Sequence, residues 1–176
     1  ARARAAELAN EGLRVLLLSH TDAPLNGETL PQGLQPAGLV ILSERVRFDA
    51  PKTLAYFQEQ GVEIKVISGD NPATVATIAA KAGVPGAEKA VDARTLPGGE
   101  DLADLMETTT VFGRVGPDQK SAMVEALQSR GHTVAMTGDG VNDVLALKKA
   151  DMGIAMGTGT AAAQAVSQLV LVDSSF

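Results

Sequence analysis

The stretch Thr137-Gly138-Asp139-Gly140-Val141-Asn142-Asp143 closes a short apolar strand candidate at 133–137, and its reading decides how the rest of the chain is understood. Two glycines let the backbone approach a ligand closely, and two carboxylates four residues apart with an amide between them make a hard oxygen cluster. That composition suits Mg2+, which takes one or two carboxylates and completes its shell with water and phosphate oxygens. Asp, Gly and Asn also build ordinary turns. An acidic pair at the carboxyl end of a buried strand nevertheless repels itself unless a cation shares the site, which favours the metal reading.

Outward from this stretch the pattern is regular. Strand candidates at 39–43, 63–68, 111–112 and 169–172 join 133–137 and alternate with helix candidates. Several are continuous Val/Ile/Leu runs, the pattern of strands covered on both faces, so an α/β fold with a mostly parallel sheet between helix layers is expected. Asp49-Ala50-Pro51 opens a helix that stops at Gly61, Asn71-Pro72 one that stops at Gly83, and Gly116-Pro117 one that ends at Gly131. Ligands in such sheets collect beyond the carboxyl ends of the strands.

Two further strand ends carry chemistry. In Ser68-Gly69-Asp70-Asn71-Pro72 a strand gives way through a glycine to a capped helix, and a hydroxyl beside free backbone N–H groups can hold a phosphate oxygen. The same residues are also what a plain strand-to-helix turn uses. Pro117-Asp118-Gln119-Lys120 sets a lysine in the first turn of a helix whose apolar face is Met123, Val124 and Leu127. A cation there opposes the helix dipole by about 0.3–1 kcal/mol unless an anion shares the site. The plainer alternative is a solvated lysine offset by Asp118.

Residues 1–10 read as a helix that lacks a capping residue and carries Arg2 and Arg4 against its dipole; Gly12 is its stop and 15–19 an apolar strand. The first methionine is Met106, so the sequence is expected to be a piece of a longer protein. Residues 21–37, with Pro24, Asn26-Gly27, Pro31, Gly33 and Pro36, carry turn chemistry and form the linker candidate.

Composition narrows the function. The 176 residues are 45% apolar, enough for one domain with a real core, while no apolar run approaches the ~18 residues of a membrane helix. Fifteen Lys and Arg against 21 Asp and Glu leave a charge of -6 without a basic tract or an aromatic platform, so nucleic acid is not an expected partner. The absence of cysteine excludes disulfides, thiolate zinc sites and a Cys nucleophile. With two histidines only, a bound metal must be held mainly by oxygen.

The segment 137–143, continued by Ala146-Leu147-Lys148-Lys149-Ala150-Asp151-Met152-Gly153-Ile154-Ala155-Met156-Gly157, resembles the hinge signature of the P-type cation-transporting ATPases. Ser68-Gly69-Asp70 resembles that family's Thr-Gly-Asp motif with Ser for Thr, and residues 111–120 resemble its segment ending in a lysine. The resemblance covers residues 38–176 as a phosphorylation domain and implies a Rossmann-like, haloacid dehalogenase-type fold. Residues 1–37 resemble the tail of the nucleotide-binding domain inserted into it, Glu11-Gly12-Leu13-Arg14-Val15 being the matching string. Departures are Val144-Leu145 for Ala-Pro, Glu44-Arg45-Val46-Arg47 for the hinge Asp-Pro-x-Arg, and a Gly157-Thr158-Gly159-Thr160 turn without an aspartate.

The resemblance implies an ATP-driven cation pump working through an aspartyl-phosphate. The family's Asp-Lys-Thr-Gly-Thr string does not occur in the sequence, so the nucleophile-bearing first strand is expected to lie outside it. By carry-over, Ser68, Gly69 and Lys120 hold the phosphoryl group, and Asn142 orients the cluster or ligates. Asp139 and Asp143 hold Mg2+, and Asp70 reaches ATP. Partners implied are the N-terminal part of the pump, its membrane helices and the transported cation. Location is then the cytoplasmic face of a plasma membrane, the fragment itself being soluble and inactive alone. The rivals are a stand-alone haloacid dehalogenase-type phosphatase, whose nucleophile would have to be Asp22 or Asp49, and a noncatalytic phosphate-binding module.

Overall fold

The structure, a computed structural model, describes residues 2–24, 27–43 and 45–173. Helix α1 (Arg2–Asn10) leads into an antiparallel ribbon of β1 (Leu13–His20) and β2 (Gln35–Ser43), paired from Leu13 opposite Ser43 to Leu18 opposite Gly38 and, past a register shift, from Ser19 opposite Pro36 to His20 opposite Gln35. The segment expected as a linker is therefore partly strand, since β2 begins at Gln35. The apolar runs of this ribbon are not covered on both faces as their composition predicts. Leu16, Leu17 and Leu18 are about half exposed, as are Ile41 and its neighbours, because two strands alone cannot enclose a core. The α1–β1 junction is tied to the rest through Thr74, whose hydroxyl donates to the carbonyls of Ala9 and Leu13 at 3.3 Å each.

Two parallel half-sheets follow. Helix α2 (Ala50–Glu59) leads to β3 (Val66–Ile67), and α3 (Pro72–Lys81) to β4 (Ala90–Asp92). Helix α4 (Gly99–Thr108) leads to β5 (Val111–Gly113); the first half-sheet has the order β3-β5-β4. Helix α5 (Pro117–Ser129) then leads to β6 (Ala135–Gly138), α6 (Val144–Lys149) to β7 (Met152–Met156), and α7 (Ala161–Val166) to β8 (Leu169–Leu171), the second half-sheet being β6-β7-β8. The expected helix boundaries hold for local reasons. Asn71 accepts from the Ala73 N–H at 3.0 Å as the cap of α3, and α2, α3 and α5 end ahead of left-handed Gly61, Gly83 and Gly131. Asp49 stands at the cap position of α2 but makes no capping bond, because its carboxylate is held by Arg47 at 3.0 Å and 3.1 Å.

Helix α5 joins the halves. Its Met123 packs into the core of Phe112, Met106 and Leu102 under the first half-sheet, while the adjacent Val124 packs with Met136, Leu147 and Ala155 under the second. Both are essentially buried, each worth about 1.5–3 kcal/mol of apolar burial. Between the halves, β3 and β6 each end their sheet with one edge unpaired among the described residues. The two edges line a cleft of about 950 Å³ with Ile64, Ile67, Ala135 and Thr137 among its walls.

Candidate functional site

The candidate residues lie beyond the carboxyl ends of β3 and β6 and in the first turn of α5, which follows β5. Ser68 follows β3, and its amide donates to the Phe112 carbonyl at 3.0 Å while its own carbonyl accepts from Val115 at 3.0 Å. Its hydroxyl accepts from the Asp70 N–H at 3.1 Å, which leaves the Ser68 hydrogen available to an anion. Gly69 is exposed at the apex of this turn.

Lys120 stands at the first turn of α5, whose start is set by Gln119: its amide oxygen accepts from the Gly116 N–H at 2.9 Å and its amide nitrogen donates to the Ala93 carbonyl at 2.6 Å. The solvated alternative for Lys120 is overturned, because its ammonium donates to Asp143 at 2.6 Å with both side chains about nine-tenths buried. The carboxylate that offsets its charge is thus Asp143, 23 residues on, rather than Asp118.

Asp143 closes a one-turn 3-10 segment, Val141–Asp143, beyond β6. Its second oxygen accepts from the amides of Asp139 and Gly140 at 3.3 Å and 3.2 Å. The two aspartates differ in surroundings: Asp143 is buried and both its oxygens are bonded, while Asp139 is exposed and its carboxylate meets no side chain among the described residues. The Asp139 backbone is fixed from below, where its carbonyl accepts from Thr160 at 2.8 Å. The Gly157–Thr160 turn is thus the floor of the loop. Asn142 is exposed beside it. No group of three or more His, Cys, Asp or Glu able to hold a metal occurs among the described residues. A single free carboxylate next to a buried lysine–aspartate pair fits a magnesium ion that shares phosphate oxygens and water, and not an all-protein cage.

Asp70 turns away from this group into a second cleft, of about 470 Å³, between α1, β1 and the start of α3. Arg14 of β1 lies 3.7 Å from it, and Arg114 lines the same cleft. Neither arginine is distinguished by spacing in the sequence; both sit inside strings that matter for other residues. Asp22 lies in the β1–β2 connection and Asp49 ahead of α2, so neither aspartate required by a stand-alone phosphatase follows a strand of the parallel half-sheets.

A family model for haloacid dehalogenase-like hydrolases matches residues 2–151. The chain belongs to that family. Among curated proteins it is 56% identical over 94% of its length to the calcium-transporting ATPase CtpE of Mycolicibacterium smegmatis, covering 21% of that protein. It is 54% identical over 99% of its length to CtpE of Mycobacterium tuberculosis, covering 22% of it, and 41% identical over 98% to the probable cation-transporting ATPase exp7 of Streptococcus pneumoniae, again covering 22%. The chain thus spans about a fifth of the relatives it matches. Among solved structures, a zinc-transporting PIB-type ATPase in its E2.Pi state matches over 94% of the chain and 21% of that chain, with 25% identity and a TM-score of 0.59. The catalytic domain of the CPx-ATPase CopB-B, at 22% identity over 78% of this chain and 45% of that one, shares the fold with a TM-score of 0.56. The curated relatives named here are described as cation-transporting ATPases.

Proposed function

We propose that this chain is the part of an ATP-driven cation pump that holds magnesium and the phosphoryl group of an aspartyl-phosphate, the acceptor aspartate being carried on another segment of the same protein. The observation that carries this reading is the Lys120–Asp143 pair at 2.6 Å, buried beside the unengaged Asp139 at the end of β6. A structural ion pair alone would not need a free carboxylate held next to it by two glycines and a bracing turn. The cleft between β3 and β6 is where the missing strand would enter, since both edges are unpaired among the described residues and Ile64, Ile67, Val134 and Met136 line it. Of the two strands beside it, β3 runs on into Ser68 and β6 ends at Gly138.

In this reading Ser68 donates its free hydroxyl hydrogen to a phosphoryl oxygen, and the exposed Gly69 amide adds a second donor. Lys120 has three N–H groups and gives one to Asp143, so two remain for the phosphoryl oxygens. Asp143 fixes the lysine and, through the Asp139 and Gly140 amides, the loop that presents Asp139. Asp139 would hold Mg2+ with Asn142 at its edge, and the ion when bound offsets negative charge on the transferring group. Asp70, with Arg14 and Arg114, lines the cleft that would take the polyphosphate end of ATP. A residence on the cytoplasmic side of a plasma membrane follows from the reading; among the described residues no helix is long and apolar enough to cross a membrane. The CtpE relatives make Ca2+ the first cation to test.

The test uses the full-length protein and radiolabelled ATP with Mg2+. Acid-quenched protein should carry label that hydroxylamine removes, and Asp139→Asn or Lys120→Ala should reduce it by about a hundredfold. Undiminished labelling in both variants, or steady phosphate release from ATP by the 176-residue chain alone, overturns the reading.

A further inference from the structure

Arg114 is the one non-glycine residue among the described residues with a left-handed backbone, at φ 56°. That conformation is strained for a side-chain-bearing residue and persists only where its surroundings over-determine it. Two backbone bonds do so here. The Arg114 amide donates to the Asp70 carbonyl at 2.8 Å, and the Val115 amide to the Ser68 carbonyl at 3.0 Å. These bonds lock the turn after β5 onto the turn after β3.

The side chain is held from the other direction. Asp92, the last residue of β4, pairs in register with Gly113 and accepts from the Arg114 guanidinium at 2.6 Å. The same carboxylate accepts from the Arg94 guanidinium at 2.7 Å and 3.0 Å and from the Arg94 amide at 3.1 Å. Arg94 first, and then Arg114, hold the Asp92 carboxyl below the usual carboxylate range, which favours its charged form. Two guanidinium groups on one carboxylate leave one positive charge over. Arg94 is the more exposed of the two and Arg114 is the one that lines the cleft beside Asp70 and Arg14. The surplus charge therefore faces the cleft, where Arg14 and Asp70 otherwise cancel.

We infer that Asp92 is a positioning residue that aims the Arg114 guanidinium at the phosphates of a nucleotide entering the cleft between β1 and the β3 and β5 turns, with Arg94 satisfying the Asp92 charge so that Arg114 keeps its own. This rests on the ATP-driven reading above. A guanidinium has five donors in a planar fork, and only one is spent on Asp92, so the orientation of the remaining four is what the carboxylate sets.

The full-length protein tests this with ATP as the varied substrate. Asp92→Ala should raise KM for ATP by about tenfold with kcat within about twofold of the parent, the pattern of lost ligand orientation. Arg114→Ala should do the same, and the double variant should be no worse than Arg114→Ala alone, since the carboxylate acts through the arginine. Asp92→Glu should recover part of the affinity. Asp92→Asn, which keeps the shape and removes the charge, serves where Asp92→Ala unfolds, with the same rise in KM expected. A rise in KM for Arg114→Ala but not for the Asp92 variants overturns the positioning role and leaves the pump reading standing. So does a lowered melting temperature in the Asp92 variants with KM unchanged, or multiplying effects in the double variant. A parent protein that neither forms a phosphoenzyme nor turns over ATP overturns the pump reading itself, and the inference with it.

Discussion

A Cβ placed on Gly138 would stand 2.5 Å from the Cβ of Asp143 and 2.8 Å from its carboxyl carbon. The last residue of β6 is thus in direct contact with the residue that anchors Lys120, and the absence of a side chain at 138 is what lets Asp143 fold back onto the strand end. Asp143 in turn holds the loop amides through which Asp139 is presented. The Lys120–Asp143 pair of the candidate site rests on this contact.

Gly138→Ala should accordingly displace Asp143. The expected cost is about 1–3 kcal/mol of stability from overpacking against a side chain with no room to move, read as a lower midpoint in thermal or urea unfolding. Asp143 cannot withdraw without losing Lys120, so Mg2+-dependent labelling of the full-length protein should fall with it. An unshifted midpoint would show that the strand end is looser than its geometry.

Lys120→Ala leaves a nearly buried carboxylate with only backbone amides. Breaking one side of such a pair costs about 3–5 kcal/mol, whereas removing both sides costs less. Lys120→Ala should therefore be less stable than Lys120→Ala/Asp143→Ala in urea titrations, and equal or additive losses would argue against a coupled pair.

Asp139→Asn separates function from stability. The side chain is exposed and unengaged, so unfolding should change by no more than about 0.5 kcal/mol. Mg2+ binding followed by isothermal titration should weaken, and superimposable isotherms would remove Asp139 from the metal site.

Acid stability follows from carboxylates that are bonded in the fold. The Val134 amide, and then Gln128, lower the Asp151 carboxyl, as Arg94 and Arg114 lower Asp92. A carboxyl lowered on folding contributes stability that is fully present above its unfolded value near ~4 and is lost as pH falls toward its folded value. Urea midpoints should stay level from neutral pH down to about 5 and then decline. Asp151→Asn should be less stable at neutral pH and lose less on acidification; an identical acid decline would assign the effect to other groups.

Much of the fold was legible because its signals are local. The Asn71-Pro72 start, the Gly61, Gly83 and Gly131 stops and the Val/Ile/Leu strand cores act within a few residues of themselves. Helix α4 carries no such mark, since Gly98 and Gly99 stand where a capping side chain would and no capping bond is made. It forms because Leu102, Ala103 and Met106 bury against Phe112, a partner that local pattern does not reveal. For the ribbon, composition pointed to burial on both faces and the structure exposes it, since the pattern records what a strand prefers and not whether a second layer is present.

By itself the sequence determined which segments become strands and helices, which residue types gather at the carboxyl ends of the strands, and the family to which they belong. Tertiary structure alone decided that Asp143 belongs to Lys120 while Asp139 stands free. It also decided that Arg14 and Arg114 share the Asp70 cleft, and that the parallel strands form two halves with unpaired edges facing one another. Chain connectivity sets the first group, because backbone sterics and capping act between neighbours. The second depends on distances between residues tens of positions apart, and these exist only once the helices have packed.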